Sequence, residues 1–290
     1  PHEEYFRARL HLEGVGVETM SLFFFQSALF IYLLSTGISL AYLVSLRQSL
    51  SRLGTFGLAV GFFVHTLALI LRYIEAGYTP ITNLHESLSF FSWSIVGVYL
   101  VLYLKYRVEV LAAFVSPMAA VLIILASLFP KEILPVAPVL DSFWLPIHVI
   151  LAFIGDAMFA LAFAAGLMYL IQEKQIKSKK IGPFYYRLPA LKVLDDLGYR
   201  CLTFGFPLLT MGIITGSVWA ESAWGSYWSW DPKETWSLIT WFLYAALLHG
   251  RLTVGWRGRR AAIFAIVGFG ALVFTFLGVN LLLSGLHSYN

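Results

Sequence analysis

The chain has 290 residues, of which 59% are hydrophobic and 12% are charged, and its mean hydropathy is +0.77. A soluble domain usually carries about 25% charged residues, so this composition excludes a water-soluble globular protein and predicts a surface that faces lipid. The formal net charge of +4 therefore gives no indication of nucleic-acid binding. The single cysteine, Cys201, excludes a disulfide or a two-cysteine metal site within the chain.

The first twenty residues are charged, lack the pattern of a signal peptide, and are expected to form an exposed N-terminal arm. A membrane-spanning helix needs about 20 mostly apolar residues. Eight such stretches follow, so the sequence predicts an all-α, polytopic membrane protein with a transmembrane domain over residues 21–290. In chain order the stretches are 22–46, 53–74, 84–104, 108–129, 144–172, 197–219, 235–250 and 261–284. The basic interruption at 173–196 is expected to be a loop with a short surface helix.

Lysine and arginine are distributed unevenly between the two sides of the predicted bundle. Fifteen of the twenty lie in the connections 47–52, 105–107, 173–200 and 251–260. The other five, on the opposite side, are Arg7, Arg9, Arg72, Lys131 and Lys233. Cytoplasmic connections carry the excess of positive charge. Both termini and the connections 75–83, 130–143 and 220–234 are therefore expected to be extracytoplasmic.

Aromatic residues are concentrated just before and within the seventh span. Six of the nine tryptophans fall between residues 219 and 241, together with Tyr227. An interfacial belt of aromatic rings is one interpretation. The alternative is a platform for a large, planar, apolar ligand, because aromatic faces bury a large area at little conformational cost. The candidate platform residues are Trp219, Trp224, Tyr227, Trp228, Trp230, Asp231 and Trp236.

The stretch WGSYWSWDPKETW at 224–236 resembles the tryptophan-rich WWD signature of heme-handling membrane proteins. Its continuation DPKETW and the downstream LLHGR are similar to the CcsA (ResC) branch of the System II cytochrome c biogenesis pathway. A looser resemblance runs from about residue 53 to the C-terminus and includes GYTPITNLHESLSFFSW. That family often has tyrosine where this chain has His85, so no family role is assigned to His85.

The resemblance implies a function and its components. The substrate would be heme b, attached through thioethers to the Cys-x-x-Cys-His motif of apocytochrome c by a holocytochrome c synthase (heme lyase) activity. A CcsB (ResB)-type membrane protein would be the partner. The location would be a bacterial cytoplasmic (inner) membrane or a thylakoid-type membrane, with the active face extracytoplasmic.

Three histidines are candidate ligands of the heme iron, for which histidine is a common axial ligand. His148 begins the fifth span and His287 ends the eighth, both on the side of the Trp-rich loop. They are either ordinary interfacial histidines or, as the resemblance implies, the external ligand pair. His249 ends the seventh span on the other side. It either caps a helix C-terminus or, as the resemblance implies, pairs with a histidine of the partner at an inner heme site.

His65 lies in the middle of the second span, where an ionisable residue is a functional candidate by default. It is therefore a candidate for a heme path, with a neutral, hydrogen-bonded packing role as the alternative. Arg72 and Lys233, with Tyr227 and Ser229, are candidates to bind heme propionates, which an acid would repel. Asp156 and Asn280 are expected to form hydrogen bonds between packed helices.

Asp231 precedes Pro232, a favourable N-cap and first-turn pair for the seventh helix, and Glu234 completes a capping box. Capping is therefore expected to be the main role of Asp231. Three other functions remain open for the chain: a heme chaperone that loads a separate carrier as CcmC does, a transporter of a non-heme substrate, and a non-catalytic scaffold. The residues after Asp231 favour CcsA over CcmC, and the external histidine pair favours heme over another substrate.

Overall fold

The computed structural model describes residues 2–45, 47–133, 135, 137–179, 182 and 185–283, with side chains from residue 20 onward. All regular elements of these residues are helical, which confirms the all-α prediction. The α-helices are α1 His2–Ser45, α2 Gln48–Ala76, α3 Leu84–Tyr106, α4 Ala112–Leu128, α5 Trp144–Ser178, α6 Leu191–Trp224, α7 Pro232–His249, α8 Arg259–Val273 and α9 Val279–Leu282. Short 3-10 turns lie at Glu109–Leu111 and Pro138–Leu140, and π turns at Gly250–Val254 and Phe274–Gly278.

Eight segments of the described chain are long and apolar enough to cross a membrane, which confirms the predicted number. The first lies within α1, whose backbone is already helical from His2, so the expected arm continues into the first span. The last joins α8, the second π turn and α9 into one segment, Arg259–Leu282. The separate surface helix expected within 173–196 is absent from the described residues. Instead α5 continues to Ser178 and α6 begins at Leu191.

The bundle has two ends, named here for their connections. The Trp-loop end carries the connections 77–83, 129–143 and 225–231, and the basic end carries 179–190 and 255–258. Helices α5 and α6 pack with their backbones close together. A Cβ atom at Gly155 would lie 3.1 Å from the backbone nitrogen of Leu209. Small residues at such contacts allow membrane helices to gain van der Waals packing in the absence of a hydrophobic driving force.

A buried ion pair organises the Trp-loop end. Arg72 Nε lies 3.1 Å from Glu86 Oε1, and both side chains are almost fully buried. The same guanidinium donates to the backbone oxygens of Lys131 and Glu132, so α2 holds the connection after α4 in place. The second carboxylate oxygen of Glu86 accepts from the backbone and side chain of Thr82. These contacts hold the Arg72 side chain against α3 and against the connection that follows α4.

A second ion pair holds the basic end. Arg251 donates through both terminal nitrogens to the carboxylate of Asp195, at 2.9 and 2.7 Å. The backbone nitrogen of Gly258 also donates to this carboxylate. Such a bidentate pair is among the stronger hydrogen-bonded contacts in proteins. It joins α6 to the connection between the last two spans.

Candidate functional site: a cavity at the Trp-loop end

A cavity of about 660 Å³ opens between α3, α5, α6, α7 and the last span at the Trp-loop end. Its volume falls in the range of about 300–1,000 Å³ that is typical of small-molecule sites. The wall is mainly apolar and aromatic, with a few polar side chains. The lining residues include His85, His148, Asp156, Trp219, Trp224, Tyr227, Trp228 and Lys233.

His148 is held in one orientation on the cavity wall. Its Nδ1 lies 2.7 Å from the backbone oxygen of Gly212 on α6. A carbonyl oxygen only accepts, so Nδ1 carries the hydrogen, and Nε2 of the neutral ring keeps its lone pair. Nε2 makes no hydrogen bond to any described residue. The ring lies nearly parallel to Trp219, with centroids 6.3 Å apart and an interplanar angle of 13°. The hydrogen bond from Nδ1 to a carbonyl oxygen is the contact that fixes the tautomer and ring orientation of a metal-binding imidazole.

The loop that carries the tryptophans is fixed at both ends. Helix α6 ends at Trp224 and is capped by Gly225, whose φ of 73° lies in the left-handed region that glycine adopts most readily. Helix α7 begins with a complete capping box, in which Asp231 accepts from the backbone nitrogen of Lys233 and Glu234 accepts from that of Asp231. The Glu234 carboxylate also accepts from the backbone of Ser229. The expected capping role of Asp231 is confirmed, and Asp231 does not line the cavity.

The expected aromatic platform divides into two groups. Trp219, Trp224, Tyr227 and Trp228 line the cavity, and the rings of Trp219 and Trp224 meet edge to face. Trp230 is 68% exposed. Trp236 packs on Phe274 of the last span, with ring centroids 4.4 Å apart. These two therefore do not belong to the wall, because the positive φ of Trp230 and the rotation of α7 direct them elsewhere.

Of the three candidate iron ligands, only His148 is described on this wall. His249 ends α7 at the opposite end of the bundle and is exposed. It lies outside the cavity, as the prediction of a separate inner site requires. His287 lies outside the described residues, so the external pair of His148 and His287 stays a prediction.

Of the remaining candidates, only Lys233 reaches the cavity. His65 is fully buried among α1, α2 and α3, where its Nε2 lies 2.8 Å from Ser89 Oγ and its ring contacts Tyr32. Arg72 is occupied by Glu86 and the 131–132 backbone, as described above, and does not line the cavity. The structure thus brings neither His65 nor Arg72 to the site.

Several wall residues were given no site role from the sequence. Asp156 and Asn280 line the cavity deep in the bundle, together with Thr240 and Thr275. From the sequence, each of the first two was expected to form a hydrogen bond to a packed neighbouring helix. The amide nitrogen of Asn280 donates within its own segment, to the backbone oxygen of Phe276. His85 also lines the wall. The sequence signal for all of these was a polar residue inside an apolar span, which does not reveal the direction in which the side chain points.

A pair of stacked rings lies one turn beyond Asp156 and Thr240, toward the basic end of the bundle. The rings of Phe159 and Tyr244 are nearly parallel, with centroids 3.7 Å apart, and neither residue is exposed. Tyr244 also lines a much smaller space of about 30 Å³ near Arg251 and Asp195. The two rings therefore lie between this small space and the large cavity.

Comparison with known proteins assigns the family. The model of a family described as cytochrome C assembly protein matches residues 81–287. CcsA of Synechococcus elongatus is 38% identical, covering 83% of this chain and 88% of that protein. CcsA of Guillardia theta is 40% identical, covering 77% of this chain and 81% of that protein. CcsA of Cyanophora paradoxa is 36% identical, covering 95% of this chain and 99% of that protein.

A solved structure shares the fold. The cytochrome c heme lyase CcmF superposes with a TM-score of 0.67 at 18% identity, over 90% of this chain. The chain spans 47% of the length of that protein. At this identity the likeness concerns the fold alone, and the family rests on the matching family model and on the CcsA relatives. The chain belongs to the cytochrome c assembly protein family, among its CcsA members.

Proposed function

We propose that the chain binds heme b in the cavity at the Trp-loop end and presents it for covalent attachment to apocytochrome c. Membership of the CcsA family supports a role in cytochrome c maturation. The observation that carries the heme proposal is His148, whose Nδ1 is bonded to Gly212 and whose Nε2 is left for a metal on a tryptophan-lined wall. A histidine imidazole is a common axial ligand of heme iron.

The wall supplies complementary groups for each part of heme. Trp219, Trp224 and Trp228 offer flat faces and edges to the macrocycle. Lys233 is the basic side chain on the wall and is suited to a propionate. His148 binds the iron on one face, and His287 is the proposed ligand on the other. Arg72 is withdrawn from the propionate role, because Glu86 already neutralises it.

Attachment proceeds by addition of two substrate thiols to the two heme vinyl groups. In each addition the sulfur forms a bond to one vinyl carbon, and the thiol hydrogen goes to the other. No electrons are gained or lost overall. The heme supplies the reactive double bonds, so the contribution of the protein is to hold the macrocycle where the thiols arrive. The histidine of the substrate motif then takes over an axial position.

Heme reaches this cavity from the basic end in our proposal. His249 is exposed there and is available to a partner of the CcsB type that supplies the second imidazole of an inner site. Fifteen of the twenty basic residues on this side support a cytoplasmic location, and thus an extracytoplasmic cavity. The membrane would be a bacterial inner membrane or one of thylakoid type. Activity as a heme lyase would belong to the complex.

The decisive experiment is a visible spectrum of the detergent-purified protein, co-expressed with its CcsB-type partner. We expect a Soret band and sharp α and β bands on reduction, as for a bis-histidine heme. His148→Gly should shift this spectrum and abolish maturation, and added imidazole should partly restore both. A colourless protein would overturn heme binding and favour a transporter of another substrate. An unchanged spectrum in His148→Gly would remove His148 from the iron.

A further inference from the structure

The cavity contains a second imidazole that no role yet explains. His85 lies in the first turn of α3 and is only 5% exposed, yet it lines the same cavity as His148. Its Nδ1 lies 2.7 Å from the backbone oxygen of Ala126 on α4. Phe25 of α1 meets its ring edge to face, with centroids 4.8 Å apart. Three helices thus fix the orientation of this ring.

His85 and His148 are held in the same way. In each, Nδ1 donates to a backbone carbonyl of a neighbouring helix at 2.7 Å. The neutral ring therefore carries its lone pair on Nε2, which in both residues makes no hydrogen bond to the described part of the chain. A metal-binding histidine characteristically donates its other nitrogen to such an acceptor, which fixes tautomer and ring plane. The cavity wall thus carries two imidazoles whose Nε2 atoms can each bind a metal ion.

A purely structural role accounts less well for His85. His65, nearby in the core, is a packing histidine by contrast: it is completely buried, its Nε2 bonds Ser89, and its Nδ1 is buried without a partner. His85 has no such sealed atom, because it borders the cavity. A bare metal ion is also a poor occupant, since the described residues contain no cluster of three His, Cys, Asp or Glu side chains. A ligand that brings most of its own donors, as heme does, requires only one or two imidazoles.

We propose that His85 is an additional axial ligand of heme in this cavity, an alternative to His287. The inference rests on the proposed heme function. His85 Nε2 binds the iron on the α3 side while His148 holds it from α5, and the oxidation state of the iron does not change. With His85 available, the iron stays six-coordinate when His287 is released, so the substrate can approach without loss of heme.

The test compares iron coordination in heme-containing protein purified with the CcsB-type partner. We expect His287→Gly to remain six-coordinate and low-spin, because His85 replaces the lost ligand. We expect His287→Gly/His85→Gly to lose the sharp α band and become high-spin, and imidazole to restore the low-spin spectrum. His287→Gly/His85→Phe should behave in the same way while preserving the contact with Phe25. The matched control is His287→Gly/His65→Phe, which removes an imidazole outside the cavity and should stay low-spin.

The outcomes separate this inference from the function on which it rests. If His287→Gly alone becomes high-spin, or if the His85 double variants stay low-spin, His85 is not a ligand, whereas heme binding by His148 stands. If the parent binds no heme, or if His148→Gly leaves the spectrum unchanged, the proposed site itself is wrong. Size-exclusion profiles identify variants that fail to fold, and the Phe variant decides the question if the Gly variant does not fold.

Discussion

Gly216 of α6 lies directly against the ring of His148. A Cβ atom built on Gly216 would lie 2.7 Å from both Nδ1 and Cε1 of that imidazole, closer than real Cβ contacts allow. The ring is also bonded to Gly212, one helical turn earlier on α6. Glycine at position 216 is therefore what allows the histidine to lie flat against this helix.

Gly216→Ala should displace the His148 ring and lengthen or break its bond to Gly212. We expect a shifted heme spectrum and a several-fold lower heme content, although alanine favours a helix by about 1 kcal/mol. The control is Gly270→Ala in the last span, where an added Cβ meets no atom within 4 Å. A normal spectrum in Gly216→Ala, measured on monodisperse protein, would show that the position of His148 does not determine iron ligation.

The proposed orientation predicts which residues a membrane-impermeant thiol reagent reaches. Cys201 is buried, so replacing it with alanine gives a background without reactive thiols. Tyr227, at the Trp-loop end, is 60% exposed, and Tyr186, at the basic end, is 75% exposed. We expect Tyr227→Cys to be labelled in intact spheroplasts and Tyr186→Cys only after permeabilisation. The reverse pattern would place the cavity on the cytoplasmic side.

Arg72 and Lys233 should differ in what their loss affects. Arg72→Ala leaves the buried carboxylate of Glu86 without its partner, which costs about 3–5 kcal/mol in comparable pairs. We expect a lower midpoint of thermal unfolding, with a normal spectrum for the heme that remains bound. Lys233→Ala should lower heme retention several-fold, because the cavity wall loses the side chain proposed to bind a propionate. Equal loss of heme in the two variants at equal stability would return Arg72 to the site.

The inner and outer histidines should have separable effects. The bilayer core is about 30 Å thick, and one heme cannot span both ends of the bundle. With the CcsB-type partner co-expressed, His249→Ala should lower the amount of heme in the cavity and leave its spectrum nearly normal. His148→Ala should admit heme and alter the spectrum. If His249→Ala altered the axial spectrum at full heme content, two sequential sites would be excluded.

Local patterns in the sequence were sufficient for some features of the site. The number of spans follows from hydropathy, which depends on composition along the helix axis. The capping box at Asp231 follows from residues that contact one another within one turn. His148 was placed at the correct end, because its position at the start of a span fixes its depth.

Rotation about the helix axis could not be predicted in the same way. Trp236 was expected on the platform and instead packs on Phe274, while His85 and Asp156 lie on the wall without having been expected there. Which face of a span meets the cavity depends on neighbouring helices, and hydrophobic patterning is weak when lipid and protein interior are both apolar. The sequence likewise does not reveal that Arg72 pairs with Glu86, because the two residues come from different helices.

The stacked rings of Phe159 and Tyr244 affect how far a path for ions can extend through the bundle. The cavity is wide and partly polar, and a pore of this kind through the whole bundle would leak ions and protons. Asp156 and Thr240 line the deep part of the cavity, and one turn farther toward the basic end the two rings pack with centroids 3.7 Å apart, both fully buried. At the level of these rings the cavity therefore does not continue toward the basic end, which limits leakage of ions along this path through the described residues.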